Sequence, residues 1–173
     1  TGVNSNNADR RLWGKFSGTN DGQLLIFRNG NWYLVSYTGS GFTSVNTGLG
    51  LDGVFGATDV DGDGLDDLVS SVGNEIRIRR NVTAPPGTVT FATSASTVWT
   101  APYSSSELQF GLAFGSPTSR FDFDGDGRGD LLISFAVYEY GEIWNYIYKV
   151  RSNGFGMQAT VSDSEPGMGA DWN

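Results

Sequence analysis

Carboxylates recur at positions 1, 3, 5 and 9 of two nine-residue segments, Asp59-Val-Asp-Gly-Asp-Gly-Leu-Asp-Asp67 and Asp122-Phe-Asp-Gly-Asp-Gly-Arg-Gly-Asp130. Alternate aspartates on a tight loop turn their oxygens toward one point, and a hard cation with oxygen ligands suits that point. Glycine at position 6 (Gly64, Gly127) supplies the turn that closes the loop. Position 7 is Leu65 in one copy and Arg128 in the other, as expected of a residue that offers its backbone carbonyl and leaves its side chain free. Without a cation the carboxylates of each loop repel one another. The spacing therefore predicts two Ca²⁺ sites.

An EF-hand would place a bidentate glutamate at position 12 and a helix on either side of the loop. Here position 12 is Ser70 or Ile133. Position 9 is followed by Leu68-Val-Ser-Ser-Val72 or Leu131-Leu-Ile-Ser-Phe-Ala-Val137, short apolar runs with β-branched and aromatic residues. The loops are expected to run into strands.

The rest of the chain agrees with an all-β class. With 173 residues, 25 glycines and 13% aromatics, it reads as one unit of short strands and tight turns, without a sustained 3.6-residue apolar period. The absence of cysteine and histidine excludes disulfides, a Ser-His-Asp triad and an ordinary zinc site. A formal charge of −8 disfavours nucleic acid and anionic membrane surfaces, and no apolar stretch approaches membrane-spanning length. Arg77, Arg79, Arg80 and Arg151 read as scattered charges.

Aligning the chain on its own loops exposes a repeat. Gly14-Lys-Phe-Ser-Gly-Thr-Asn-Asp-Gly-Gln-Leu-Leu-Ile26 fits the loop-strand frame without a gap, and Lys15, Ser17, Thr19 and Gln23 fill the carboxylate positions. This loop has no calcium ligands. Asp171-Trp-Asn173 reads as the opening of a further loop. The repeats run approximately 15–58, 59–121 and 122–170, with a truncated fourth from 171. Their lengths suit a four-stranded blade each, with insertions.

Within the repeats, Leu24 to Phe27 and Trp32 to Tyr37 flank an Asn29-Gly30 hairpin signal, and Asp67 to Val72 and Glu75 to Arg79 flank Gly73-Asn74. A third strand of the second repeat is expected at Thr88 to Ala92. Leu131 to Val137 pairs with Glu142 to Val150.

Phe55-Gly-Ala-Thr-Asp-Val-Asp-Gly-Asp-Gly-Leu-Asp-Asp-Leu-Val69 and the segment from Phe114 to Ile133 resemble the FG-GAP or VCBS repeats of integrin α-subunit propellers and bacterial secreted proteins. The resemblance implies β-propeller blades of four strands, here about three. It also implies the ligand sets Asp59, Asp61, Asp63, the Leu65 carbonyl and Asp67, and Asp122, Asp124, Asp126, the Arg128 carbonyl and Asp130. Three blades fall short of the roughly four to eight that close a propeller, so a longer chain or association of copies is expected to complete the ring. The ending Gly169-Ala-Asp-Trp-Asn173 is also similar to repeats of the shell proteins of bacterial RHS and insecticidal toxin complexes.

The functional expectation is a scaffold or adhesion module of a secreted or cell-surface protein, with a protein partner or self-association through blade faces. The runner-up is carbohydrate binding by a lectin-like propeller, in which Trp13, Trp32, Trp99, Trp144 and Trp172 are the candidate stacking residues. Trp32 and Trp144 lie inside expected strands and read as core, which leaves Trp99 the least explained. An enzyme would need a carboxylate pair such as Glu139 and Glu142, which read instead as a solvated hairpin end. No catalytic role is expected.

Overall fold

A computed structural model describes residues 10–19, 22–50, 53–84, 88–100, 109–112, 122–139, 142–154 and 157–166, with backbone only at 55, 109–112, 132–139, 142–149 and 157–166. These residues form twelve strands in three four-stranded antiparallel sheets and no helix. The first sheet contains β1 (Arg11–Gly14), β2 (Gln23–Arg28), β3 (Asn31–Tyr37) and β4 (Phe42–Asn46). The second contains β5 (Val54–Thr58), β6 (Asp67–Val72), β7 (Glu75–Arg79) and β8 (Ser96–Thr100). The third contains β9 (Gln109–Leu112), β10 (Leu131–Glu139), β11 (Glu142–Ser152) and β12 (Met157–Pro166). Each is a simple meander in chain order. Among the described residues no closed ring is formed.

The turns follow from residue chemistry. Asn29 (φ 50°) and Gly30 (φ 79°) both adopt left-handed backbone, the conformation that lets a two-residue turn match the twist of β2 and β3. Gly73-Asn74 joins β6 to β7 with the glycine alone in left-handed backbone (φ 61°), and Glu139 pairs with Glu142 in register at the end of the β10–β11 hairpin.

The first two sheets pack through one apolar cluster. Leu12, Leu25, Trp32 and Leu34 from the first sheet meet Val54, Ala57 and Leu68 from the second, with Phe16 from the first loop. The opposite face of the second sheet, carrying Val69, Ile76 and Ile78, is buried as well. The middle sheet is thus covered on both faces, and β8 approaches β12 of the third.

The second repeat departs from expectation in one place. Thr88 to Ala92 is not a strand of the sheet, whose fourth member is β8. Residues 80–84 and 88–92 instead run against each other through an Asn81–Phe91 bridge, with Val82 N–H donating to the Thr90 carbonyl and Ala92 N–H to that of Arg80, each at 2.8 Å. The β-prone pattern there serves to carry Phe91 into the cluster, edge-on to Phe16 at 6.1 Å. Trp32 is fully buried, Trp13 is exposed, and Trp99 is half-buried on β8. Trp172 and the Asp171 to Asn173 segment lie outside the described residues, as does the side chain of Trp144.

Candidate metal centre

Both acidic loops lead into the second strand of their sheet, and their internal bonds match step for step. Asp59 accepts N–H donors from Gly62 and Gly64 at 2.8 and 2.9 Å, and Asp122 accepts those of Gly125 and Gly127 at 2.6 and 2.9 Å. Asp63 takes the Leu65 N–H at 2.8 Å, and Asp126 takes that of Arg128 at 2.9 Å. The glycines at positions 4 and 6 all have φ between 77° and 92°, where a side chain would be strained. Position 6 was legible in the sequence. Position 4 carries the same constraint.

This winding gathers carboxylates. One oxygen from each of Asp59, Asp61 and Asp63 lies within 4.8 Å of the others, and so does one from each of Asp122, Asp124 and Asp130. Each trio can hold a metal ion. The donors are all carboxylate oxygens, a set suited to a hard divalent ion.

Position 9 has a second duty. Asp67 accepts Val60 N–H at 3.1 Å on one oxygen and Asn81 N–H at 2.7 Å on the other. Asp130 likewise accepts Phe123 N–H at 2.7 Å and Ser152 N–H at 2.9 Å. In the first loop Gln23 occupies this position. Its carbonyl oxygen accepts the N–H groups of Phe16 and Ser17 at 3.1 and 2.8 Å, and its amide donates to Ser36 Oγ at 3.0 Å. One residue in each repeat therefore pins the start of the loop to the strand beyond it.

The loops also fasten one repeat to the next. Asp66 N–H donates to the Lys15 carbonyl at 2.7 Å, and Gly129 N–H donates to the Asp59 carbonyl at 2.6 Å. Asn81 Nδ2 donates to the Phe16 carbonyl at 2.9 Å, and Ser152 Oγ donates to that of Val60. The close approach needs a glycine on one side of each junction. A Cβ on Gly14 would lie 2.7 Å from Asp66 Oδ2, and a Cβ on Gly129 would overlap the Thr58 hydroxyl.

Three arginines bear on this region, and sequence reasoning undervalued all of them. Arg80, directly before Asn81, forms an ion pair with Asp61 and donates to the Gly154 carbonyl. Arg151, directly before Ser152, lies 3.9 Å from Asp124. The two are equivalent in the repeat, which 70 intervening positions conceal in the sequence. Arg128 pairs with Asp126 at 3.0 Å, and its side chain lies across Gly62 and Gly154. The expectation of a free side chain at position 7 is thus corrected, since Arg128 is engaged and Leu65 is buried. Arg79 donates to the Ala92 carbonyl at 2.9 Å.

The electrostatics divide the carboxylates. Burial pushes Asp67 up to about 7, helped by the nearby Asp61 charge and opposed by the N–H groups of Asn81 and Val60. Burial raises Asp130 too, with Asp124 and Asp126 acting in the same direction. Asp122 is held below the usual range, first by the Gly127 N–H. A cation in either loop would favour the ionised carboxylates against burial and against their mutual repulsion.

Of the residues expected as ligands, Asp59, Asp61 and Asp63 come together in one loop and Asp122, Asp124 and Asp130 in the other. Asp67 and Asp126 stand outside these trios, the first on its two backbone donors and the second on Arg128. In comparison with known proteins, no family model matches the chain and no curated sequence matches it.

Proposed function

We propose that this chain is a calcium-binding β-propeller segment of a secreted or cell-surface protein, in which cations fasten successive blades into a scaffold or adhesion module. The observation that carries this reading is the location of both carboxylate trios, on the very loops whose backbones bond from sheet to sheet. An ion on Asp59, Asp61 and Asp63 would rigidify a segment that the third sheet grips through Gly129 and Ser152. Calcium fits better than magnesium, because a carboxylate-rich loop without octahedral constraint tolerates the larger coordination number. The carbonyls of Leu65 and Arg128, with Asp67 and Asp126, would complete the two shells. The partner would be another protein or another set of blades meeting an uncovered sheet face.

Titration calorimetry with Ca²⁺ and with Mg²⁺ tests it. Two calcium sites per chain are expected, with magnesium weaker. A stoichiometry of zero, or magnesium bound as tightly, overturns the proposal.

A further inference from the structure

The two junctions between sheets obey one rule, and the molecule carries both halves of a third. At each junction the N–H at position 8 of the later loop donates to the carbonyl at position 1 of the earlier one, Asp66 to Lys15 at 2.7 Å and Gly129 to Asp59 at 2.6 Å. The apolar residue at position 2 of the earlier loop, Phe16 or Val60, is buried. Its carbonyl accepts from a side chain of the later repeat, Asn81 or Ser152. The leucine at position 10 of the later repeat, Leu68 or Leu131, is buried as well.

The first sheet holds the later half of such a junction. Alternation along its paired strands places Trp13, Leu24, Ile26, Val35, Tyr37 and Phe42 on the face opposite the apolar cluster. Trp13, Tyr37 and Phe42 are 50%, 65% and 77% exposed, a concentration of apolar surface that marks an interaction face. Leu24 stands at position 10, where Leu68 and Leu131 are buried, yet it is only half-buried. Gly22, at position 8, is exposed, and a Cβ built on it would meet nothing within 4 Å. By strand register Tyr37 holds the place of Asn81 and Ser152.

The third loop holds the earlier half. Its position 2 is Phe123, 37% exposed where Phe16 and Val60 are buried, and its position 1 carbonyl belongs to Asp122. Each junction also needs a glycine on one side, Gly14 against Asp66 and Gly129 against Thr58. The residue before the third loop is Phe121 in the sequence, outside the described residues, so the glycine must come from position 8 of the docking sheet, where Gly22 stands. We infer that the outer face of the first sheet docks on the third loop of a second copy of this chain and continues the junctions already present. The Gly22 N–H donates to the partner copy's position 1 carbonyl, and the Tyr37 ring covers its position 2 side chain. Two copies joined at both ends bring six sheets together, within the roughly four to eight that close a ring, so association stops at a dimer. This contact rests on the reading of the repeats as propeller blades.

Sedimentation equilibrium of the full chain in calcium tests it. The parent should form a reversible dimer. Gly22→Arg and Trp13→Asp on the first sheet, and Phe123→Arg on the third loop, should each weaken it a hundredfold or more and keep the parent's circular-dichroism spectrum. Gly22 faces open space and Trp13 is half-exposed, so neither change disturbs the fold of one copy. Mixed in equal amounts, Gly22→Arg and Phe123→Arg copies keep one intact contact per pair, and they should associate at least tenfold more tightly than either does alone. A monomeric parent, a species larger than a dimer, a dimer indifferent to Phe123→Arg, as pairing of two first sheets face to face would give, or no gain on mixing overturns the proposal. Calcium stoichiometry on the same samples separates the two readings. A chain that binds two calcium ions and stays monomeric overturns this contact alone, and one that dimerises without binding calcium overturns the metal reading alone.

Discussion

The loop at 15–22 and the loops at 59–66 and 122–129 occupy the same place in their sheets, yet they solve the problem of a tight polar turn with different chemistry. In the acidic loops a buried aspartate at position 9 clamps two backbone N–H groups, and further aspartates crowd around it. In the first loop a neutral glutamine performs the clamping and hydroxyls replace the crowd. The difference shows that the clamp belongs to the fold, while the first loop keeps its place in the sheet with no carboxylate at positions 1, 3 and 5. Where three carboxylates converge they repel one another, and a cation would relieve that repulsion.

If the clamp is shared, breaking it should cost the same in either kind of loop. Gln23→Ala and Asp67→Ala each strand two N–H groups, and each should destabilise by roughly 2–5 kcal/mol in denaturant melts. A cost below about 1 kcal/mol at Gln23 would break the comparison.

The carboxylates should instead show their effect through calcium. Asp61→Ala and Asp124→Ala should each remove one site by calorimetry. At calcium a hundred times the dissociation constant, each should forfeit about 2.7 kcal/mol of stabilisation. Ser17→Ala and Thr19→Ala should leave the stoichiometry at the parent value. A variant of the first loop that lost a calcium would show that all three loops bind metal.

Acid titration sharpens the same contrast. With its carboxyl raised from 3.8 to about 7, Asp67 binds a proton in the folded chain over a range where the unfolded chain has released it. Stability in chelator should therefore fall as pH rises, by on the order of 2 kcal/mol between about pH 5 and 7. Asp130, shifted in the same direction, adds to the slope. Asp67→Asn should flatten it, and calcium, which favours the ionised form, should oppose it. Stability in chelator that is flat or rises over this interval would contradict the assignment.

The smallest effect concerns Arg80, a partly exposed cation on a ligand carboxylate. Arg80→Ala should strengthen calcium binding at its loop by about two- to fivefold, the range of a half-exposed ion pair. Weaker binding would mean that the guanidinium orients Asp61 rather than competing for it.

Much of this arrangement was legible in the chain. The Asn29-Gly30 and Gly73-Asn74 turns, the β6–β7 pair and the acidic loops each follow from local residue chemistry. The first strand of each sheet was less visible, because β1, β5 and β9 are only four or five residues long. The fold-back segment was misread for a different reason. Its β-prone residues satisfy an apolar need at Phe16 rather than a sheet edge. The double use of position 9 was hidden because its partners lie 14 residues on in one repeat and 22 in the other.

The glycines at the two junctions have a consequence for assembly. At the first junction the small residue belongs to the earlier sheet, Gly14, and the large one to the later, Asp66. At the second the sizes are reversed, with Thr58 meeting Gly129. Two copies of the middle sheet stacked head to tail would drive Asp66 into Thr58, and the third sheet placed on the first would leave two glycines facing a void. The two junctions are therefore keyed in opposite senses, and a direct tandem of the middle sheet is opposed by shape before charge or calcium has any say.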